Sequence, residues 1–351
     1  MDLTGGMTSE RDTVLAKAPD DPLCREGENM WIFDDAGRFT LPRIGVEAIA
    51  SQWMDRGLQG NIGFPDGRAL NGAGPADGRE PVAADGEARI FGAGPCELEC
   101  VEPFRRWRFG WHGPMRDTDV EEQLAGVISD ELVQVDVDVQ TTMAVPPWVQ
   151  GEMSEDAARL LRDGIEGAFM GGTRHEQLFR CEGTFKVGNG PELEFTGTGL
   201  RIHRIGARDV GEFWGHNWQS AVFPSGRAFG FITYPPRPDG SPSYTEGYVF
   251  DGDIMHPARI VEVQWLTKIE PSGGDVSVVL ETEAHGKVQI GGSTHGSTFS
   301  VQGGSLHLDW KVDGQLVNSC TFHQGGALYT WDGEQAYGMV ERSLPEEQIT
   351  R

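Results

Sequence analysis

Turn-forming residues are spread along the entire chain, and this feature limits the fold more than any other. The 351 residues include 49 glycines and 20 prolines, about one residue in five, and no linker concentrates them. Turns at this density favour many short strands and few long helices. The sequence therefore predicts a mostly β chain whose successive strands are joined by hairpins.

Alternating hydrophobicity supports a β fold. Between Glu131 and Met143, four valines alternate with polar residues, the period of a strand with one buried face. The segments His175–Val187 and Glu192–Arg204 flank Gly188-Asn189-Gly190, a sequence typical of a hairpin turn. Further strands are predicted at Ser220–Tyr234, Ile260–Ile269, Asp275–Glu283, Ser305–Val312 and Ser319–Thr330.

One helix and one internal repeat organise these strands. Apolar residues recur at helical spacing after Ser154, and Gly171-Gly172 ends the run. The sequence of residues 64–69 reappears almost unchanged at 223–228, an offset of 159, which indicates a duplication. We therefore predict a first β unit at 25–150, a connecting helix at 151–172 and a second β unit at 173–345. Sandwiches and closed barrels both fit this pattern.

The net charge limits the partners. The chain has 29 Lys+Arg against 54 Asp+Glu, a formal charge of −25, so it repels nucleic-acid phosphates. It contains no stretch of eighteen apolar residues, and no membrane span is expected. Residues 1–22 are polar and acidic without a secretory signal, which predicts a cytoplasmic protein with reduced cysteines. A homodimer remains possible.

Cofactor motifs are missing from the sequence. There is no G-x-S-x-G, no complete glycine-rich nucleotide motif and no H-E-x-x-H. Asp251-Gly252-Asp253 resembles a fragment of a calcium loop but lacks the remaining ligands, so a turn is the preferred interpretation. We predict no cofactor and no metal.

The densest group of chemically useful residues lies between Gly206 and Gln219. On a strand, His216 and Trp218 share one face, so a proton carrier would lie beside an aromatic wall. Such a wall can stabilise a carbocation, and a dry setting raises the pKa of a carboxylic acid so that it can donate a proton. Buried tryptophans, a core histidine and an Arg–Asp bridge are the structural alternative.

The second unit resembles the carotenoid 1,2-hydratase (hydroxyneurosporene synthase) and AttH-like group. The resemblance is carried by His175-Glu176-Gln177, Arg208-Asp209, His216-Asn217-Trp218 and the C-terminal stretch Asp332–Glu341, within about residues 100–345. It implies two lipocalin-like antiparallel β-barrels in tandem, with one helix between them. It also implies hydration of a terminal isoprenoid double bond, without a cofactor, through protonation by a carboxylic acid. Relatives include fungal phytoalexin hydratases and pericyclases, and many AttH-like members have no assigned activity.

The family pattern is not fully matched. The hydratases have an Asp-His-Asn-Trp stretch and a later Tyr-x-Asp, whereas this chain has Gly215 before His216 and Glu246 at the end of Tyr244-Thr245-Glu246. A second alignment places Arg208-Asp209 on the family's Arg-Asp turn. Both alignments stay open, and either Glu246 or Asp209 is the candidate acid.

The predicted function is a cofactor-independent hydratase, lyase or isomerase that acts on an isoprenoid- or steroid-like small molecule. The alternative is a non-catalytic lipid or terpenoid binder. A third interpretation is a catabolic-pathway protein whose second barrel serves only assembly. Because the first unit lacks a His-Asn-Trp counterpart, the site is expected in the second unit or at the interface. The candidate residues are His216, Glu246, Asp209 and Tyr244 for catalysis, and Trp214, Trp218, Asn217, Phe231 and Tyr248 for substrate binding.

Overall fold

The structure, a computed structural model, describes residues 1–164, 167, 171–207, 214–237, 240–301, 311–312, 315–316 and 320–350. Antiparallel strands account for most of these residues, which confirms the mostly β prediction. Within the same residues, no helix is both long and apolar enough to cross a membrane.

The N-terminal part of the chain forms a sheet with thirteen described strands. They are β1 (Cys24–Asp34), β2 (Thr40–Ile49), β3 (Asp55–Gln59), β4 (Asn61–Gly63), β5 (Arg68–Asn71), β6 (Gly74–Asp77), β7 (Ile90–Ala93), β8 (Cys96–Glu102), β9 (Arg106–Asp119), β10 (Leu132–Met143), β11 (Trp148–Val149), β12 (Thr173–Val187) and β13 (Leu193–Ala207). Because β2 pairs with both β4 and β1, the pairing β1-β13-β12-β10-β9-β5-β4-β2 returns to its start and forms a ring.

The C-terminal part forms a closed barrel in which β14 pairs with β23. The strands of this part are β14 (His216–Val222), β15 (Ala228–Thr233), β16 (Thr245–Phe250), β17 (Met255–Val263), β18 (Val278–Thr282), β19 (Gly286–Val301), β20 (Lys311–Val312), β21 (Gln315–Leu316), β22 (Cys320–Trp331) and β23 (Glu334–Pro345). Strands β20 and β21 pair only with each other and lie outside the barrel.

The helices of the described chain are short. They are α1 (Val120–Ala125), α2 (Glu155–Asp163) and three 3-10 turns at Ser9–Arg11, Ala50–Gln52 and Glu346–Gln348. Helix α2 begins where the sequence predicted, because the Ser154 hydroxyl accepts a hydrogen bond from the backbone N–H of Ala157 at 3.1 Å. Its predicted continuation through Ile165 and Phe169 falls outside the described residues.

The boundary between the two sheets differs from the predicted one at residue 173. Strands β12 and β13 pair with β10 and β1, so both belong to the first sheet, and the second begins at His216. The hairpin at Gly188-Asn189-Gly190 is confirmed. The strands that pair with this hairpin, β1 and β10, are distant in sequence. Local sequence therefore contains no signal for the boundary between the two sheets.

The repeated sequence forms the same turn in both sheets. The backbone N–H of Phe64 donates to the carbonyl of Arg68 at 3.0 Å, and that of Phe223 donates to Arg227 at 2.8 Å. Gly67 and Gly226 have φ values of 91° and 93°, a region that disfavours other residues. The second turn divides the single strand predicted at 220–234 into β14 and β15.

Side-chain alternation produces two barrel cores and a layer between them. On β1, Met30 and Ile32 point into the first barrel, whereas Trp31 and Phe33 point towards the second. Strands β14, β15 and β16 are buried almost throughout because the barrel core covers one face and the first sheet covers the other. We call the side chains between the two sheets the inter-sheet layer. Its buried apolar members include Trp31, Phe33, Trp148, Leu178, Leu200, Trp218, Ile232, Tyr244 and Tyr248.

We expect the substitution Arg201→Met to destabilise the first barrel strongly. Arg201 lies on β13, is fully buried, and forms ion pairs with Asp12 and with Glu28, the latter at 3.1 Å. Removing one partner of a buried ion pair typically costs about 3–5 kcal/mol of unfolding free energy. Urea unfolding of the two proteins measures this difference.

The matched control is Arg79→Met at an exposed ion pair with Glu97, whose side chains are 41% and 39% exposed. We expect a loss within about 1 kcal/mol there. Equal effects of the two substitutions would contradict the structural role assigned to Arg201.

Candidate functional site

A row of directly opposed residues crosses the second barrel on the face that meets the first sheet. Glu246 on β16 lies opposite Ile232 on β15, Ile232 lies opposite Trp218 on β14, and Trp218 lies opposite Glu341 on β23. Directly opposed residues share one face of a sheet. The row therefore places two carboxylates on the inter-sheet face, three strand spacings or about 14 Å apart.

His216 and its two partners form the polar group at one end of this row. His216 Nε2 lies 3.1 Å from Glu341 Oε1, and its Nδ1 lies 2.6 Å from Ser343 Oγ. A carboxylate only accepts hydrogen bonds, so Nε2 carries a proton, and in a neutral ring Nδ1 would accept from the Ser343 hydroxyl. All three residues are buried. A histidine held in this way can take a proton from a hydroxyl group or from a water molecule.

Glu341 is held as an anion. Burial opposes its ionisation, but Arg43, His216 and Gln324 outweigh that effect and lower its pKa to about 2. The Gln324 amide donates to Glu341 Oε2 at 2.9 Å, and Arg43 lies 3.4 Å from Oε1. The anion in turn fixes the tautomer and the orientation of His216.

An irregularity in the first sheet directs two further residues to this group. Between the pairs Met30–Ile44 and Ile32–Leu41, two residues of β2 oppose the single residue Trp31, which is a β-bulge. One of the two, Arg43, has a φ of 63°, a conformation that costs free energy in a residue other than glycine. The bulge thus turns Arg43 towards Glu341 and across the ring of Trp31, with its guanidinium carbon 5.7 Å from the ring centroid.

Two buried donors in the same place have no acceptor within the described part of the protein. They are the indole nitrogen of Trp31 and Nε of Arg43. A buried donor without an acceptor typically costs about 1–3 kcal/mol, and native proteins contain few of them. Oxygen atoms of a bound molecule or of water would satisfy both.

Aromatic and charged side chains form the middle of the row. Trp218 packs edge to face on Trp31 with ring centroids 5.0 Å apart. Its indole N–H donates to Glu176 Oε2 at 3.0 Å, while Gln150 and Arg174 donate to the other oxygen of Glu176 at 2.7 and 2.6 Å. Burial raises the pKa of Glu176 despite these contacts.

Glu246, at the other end of the row, accepts four hydrogen bonds. Its Oε2 accepts from Trp148 Nε1 at 3.0 Å, from the backbone N–H of Gly151 at 2.8 Å and from the Tyr244 hydroxyl at 2.9 Å. Its Oε1 accepts from the backbone N–H of Met153 at 3.0 Å. Burial raises the pKa of Glu246, and the four donors act in the opposite direction.

The structure brings several predicted aromatic residues to the Glu246 end. Tyr244 is fully buried, and Tyr248 packs on Trp148 with ring centroids 5.5 Å apart. Trp214 is half-buried beside Tyr234, and its indole N–H donates to the carbonyl of Pro235 at 2.8 Å. These side chains pack within or against the inter-sheet layer, as the alternation of Tyr244, Glu246 and Tyr248 predicted.

Two predicted site residues lie elsewhere. Asn217 follows His216 on β14, so it points into the second barrel, where its amide donates to the carbonyl of Gln264 at 2.9 Å. Phe231 belongs to the apolar core of that barrel. The structure therefore separates these two residues from His216 and Trp218, because neighbouring residues on a strand face opposite sides. Asp209 lies outside the described residues.

Gly215, which stands where the carotenoid hydratases have an aspartate, has a structural explanation. Gly215 has a φ of 119°, and a Cβ atom there would lie 2.6 Å from the carbonyl oxygen of Ser343. An aspartate would be strained at this position and would push β14 away from β23.

Sequence reasoning missed several members of the site. Arg43, Trp31, Glu176, Glu341 and Ser343 come from four strands distributed over the whole chain. The alternation of Glu341 and Ser343 on one strand was a usable signal. The other residue of the bulge, Pro42, is a local signal for it, because proline within a strand is tolerated at bulges.

A second buried polar cluster lies within the first barrel. One oxygen or nitrogen atom of each of Asp12, His175 and His203 lies within 4.8 Å of the others, a spacing that suits a metal ion. Arg201 pairs with Asp12, and its Nη2 lies 3.1 Å from His175 Nε2. The guanidinium of Arg201 thus places a positive charge beside the atoms that would bind a metal ion. Burial lowers the pKa of His175 to about 3. We therefore interpret this cluster as structural.

We expect the contribution of Glu341 to stability to depend on pH. Because its pKa is lowered from 4.5 to about 2, its stabilising effect is present above pH 4.5 and is lost as the pH falls towards 2. The effect corresponds to about 3 kcal/mol. Urea unfolding at several pH values should show that the difference between the wild type and Glu341→Gln shrinks by this amount on acidification.

Glu97→Gln, at the exposed pair with Arg79, is the matched control for this experiment. Its difference from the wild type should stay small at every pH. A pH-independent effect of Glu341→Gln would contradict the assignment of Glu341 as a buried anion.

Comparison with solved structures confirms the fold. A protein of Nitrosomonas europaea described as an AttH is similar with a TM-score of 0.51 and 14% identity, covering 94% of this chain and 98% of that one. CghA with Sch210972 is similar with a TM-score of 0.57 and 8% identity, covering 92% and 89%. Kievitone hydratase of Nectria haematococca has a TM-score of 0.45 and 10% identity, covering 98% and 96%.

At these identities the likeness extends to the fold alone, which is that of the AttH-like, lipocalin-like proteins with two β-barrels. No curated protein sequence matches the chain. A family model does match, over residues 30–345. The chain therefore belongs to the family described as Domain of unknown function (DUF7064).

Proposed function

We propose that this protein is a cofactor-independent hydratase, lyase or isomerase that acts on a hydrophobic, isoprenoid- or steroid-like molecule in the inter-sheet layer. One observation carries the proposal. Beside His216, Glu341 and Ser343, the buried donors of Trp31 and Arg43 lack an acceptor, which is the environment that a hydroxyl or carbonyl oxygen of a substrate would complete.

The proposed chemistry adds water to an alkene. A carboxylic acid gives its proton to one alkene carbon, and a water molecule bonds to the cation that forms on the other carbon. The water then releases a proton to a base, and proton exchange with solvent restores the acid and the base. The edge-to-face pair Trp31 and Trp218 offers aromatic surface to the cation.

His216 is the proposed base. Glu341 orients the ring and stabilises the positive charge that the ring gains, and Ser343 lies where a hydroxyl group donates to Nδ1. This sequence of hydroxyl, histidine and carboxylate is the one used for proton abstraction in the serine hydrolase triad, with the two ring nitrogens exchanged.

The acid is either Glu246 or Asp209. Glu246 is buried and burial raises its pKa, which is the direction that a proton donor needs. The row between Glu246 and Glu341 nevertheless spans about 14 Å, so one alkene cannot touch Glu246 and the His216 group together. If Glu246 is the acid, His216 is too far away to activate the water. If His216 activates the water, Asp209 is the candidate acid.

A non-catalytic lipid or terpenoid binder is the second candidate. The observation that favours it is the set of four donors to Glu246. A carboxylate that accepts this many hydrogen bonds can serve as a structural link, here to Trp148, Gly151 and Met153. In that function the aromatic layer holds an unreacted ligand.

We expect turnover of at least one isoprenoid or steroid alkene in buffered H₂¹⁸O, detected by mass spectrometry as incorporation of ¹⁸O. His216→Gln should slow the reaction by about 100- to 10,000-fold, the usual size of a general acid–base contribution. Glu246→Gln and Asp209→Asn identify the acid, since only the substitution at the acid should abolish ¹⁸O incorporation. Ser343→Ala serves as a second test of the His216 group.

His112→Gln is the matched control, an exposed histidine beside Asp136 and Asp138 on the first sheet. It should retain full activity, and thermal unfolding checks that each variant is folded. Full activity of His216→Gln would contradict the assignment of the base. Recovery of an unaltered hydrophobic ligand without turnover would favour the binder.

A further inference from the structure

Three potential metal ligands converge on the surface of the second barrel, away from the inter-sheet layer. Asp251 follows β16, His256 lies on β17, and His285 lies in the turn between β18 and β19. His256 Nε2 is 2.8 Å from Asp251 Oδ2, and His285 Nε2 is 3.6 Å from the same oxygen. One ligand atom from each residue lies within 4.8 Å of the other two.

The carboxylate of Asp251 is fixed before any ion arrives. Its Oδ1 accepts hydrogen bonds from the backbone N–H groups of Asp253 and Ile254 at 2.9 and 2.8 Å, which leaves Oδ2 directed at both histidines. These backbone bonds and the contact with His256 hold the pKa of Asp251 well below its usual range.

The two histidines approach this oxygen from different directions. Their ring centroids are 4.8 Å apart and their planes are almost perpendicular, at 88°. The backbone N–H of His285 donates to the Thr282 hydroxyl at 2.9 Å, which holds the turn that carries this histidine. The rings thus meet edge to face, and both Nε2 atoms point towards the same carboxylate oxygen.

The distances suit a first-row transition metal ion. A tetrahedral zinc ion with bonds of 2.0–2.2 Å holds its ligand atoms about 3.4 Å apart. The two distances to Asp251 Oδ2, 2.8 and 3.6 Å, lie on either side of this value. Asp251 and His256 are half-buried and His285 is exposed, so a fourth position faces solvent.

We propose that Asp251, His256 and His285 form a binding site for a borderline divalent cation such as Zn²⁺, with solvent as the fourth ligand. Two imidazoles and one carboxylate favour Zn²⁺, Co²⁺, Ni²⁺ or Cu²⁺ over Mg²⁺ and Ca²⁺, which prefer oxygen ligands. The ion joins the end of β16 to β17 and to the β18–β19 turn. The proposal is independent of the function assigned to the inter-sheet layer.

A second surface histidine, His112, has two carboxylate neighbours but lacks ligand atoms that converge on one point. His112 lies between Asp136 and Asp138, but its Nδ1 faces one carboxylate and its Nε2 faces the other, each at 3.3 Å. Because the two nitrogens are on opposite sides of the ring, the two carboxylates do not converge on one ion. His112, Asp136 and Asp138 are therefore of the same residue types as the proposed site, but they do not form a metal site.

The test is a calorimetric titration of chelator-treated full-length protein with ZnCl₂, together with thermal unfolding in the presence and absence of the ion. We expect one saturable binding event that raises Tm, since an ion bound only by the folded state stabilises it. His285→Gln and His256→Gln should each weaken this event about tenfold or more, while His112→Gln should leave it unchanged. Titration with MgCl₂ should produce no saturable event.

An absorption spectrum with Co²⁺ provides a second readout, because a four-coordinate cobalt ion absorbs visible light far more strongly than the hydrated ion. We expect this absorption in the wild type and in His112→Gln, and its loss in His285→Gln. The proposal is overturned if the wild type shows no zinc binding up to about 1 mM, the weak end of specific affinities. It is equally overturned if His285→Gln binds zinc as tightly as the wild type.

Discussion

Strands β14, β15 and β16 are covered on both faces, and this burial determines what the inter-sheet layer can contain. A carboxylate in such a layer loses its hydration, so hydrogen-bond donors must replace the water. Glu176, Glu246 and Glu341 meet this condition with three, four and three protein donors respectively, drawn from both sheets. These contacts therefore fix how the two sheets pack against each other as well as the charges between them.

Glu341 and Glu246 differ in the donors that surround them and in the direction of their pKa shifts. Glu341 is approached by the cation Arg43 and by His216, and its pKa is lowered to about 2. Glu246 receives only uncharged donors, and burial raises its pKa. One face of the same barrel thus holds a permanent anion beside a histidine and a second carboxylate that binds a proton more readily.

Features that depend on local sequence were predicted well. The β class, the hairpin at 188–190, the start of α2 at Ser154 and the burial of Glu246 follow from turn residues, capping and alternation. The boundary at 173 was wrong, because the partners of β12 and β13 are distant in sequence. Asn217 and Phe231 were grouped with His216 although strand geometry points them into the barrel core. Arg43 was not found, because its partner Glu341 is distant in sequence, although Pro42 marks the bulge that turns it.

In the proposed function, the separation of Glu246 from His216 limits the molecules on which the inter-sheet layer could act. Addition of water to an alkene involves two adjacent carbon atoms, so its acid and its base must lie within a few ångströms of each other, whereas the row spans about 14 Å. A small substrate would therefore react at one end of the row, and the residues at the other end would have a structural role only. An extended hydrophobic molecule would instead place its reacting end at His216 and its remaining length along Trp218 and Ile232 towards Glu246. In the proposed function, the strain at Arg43 and the two buried donors without acceptors favour the His216 end for chemistry, whereas both oxygens of Glu246 already accept hydrogen bonds from the protein.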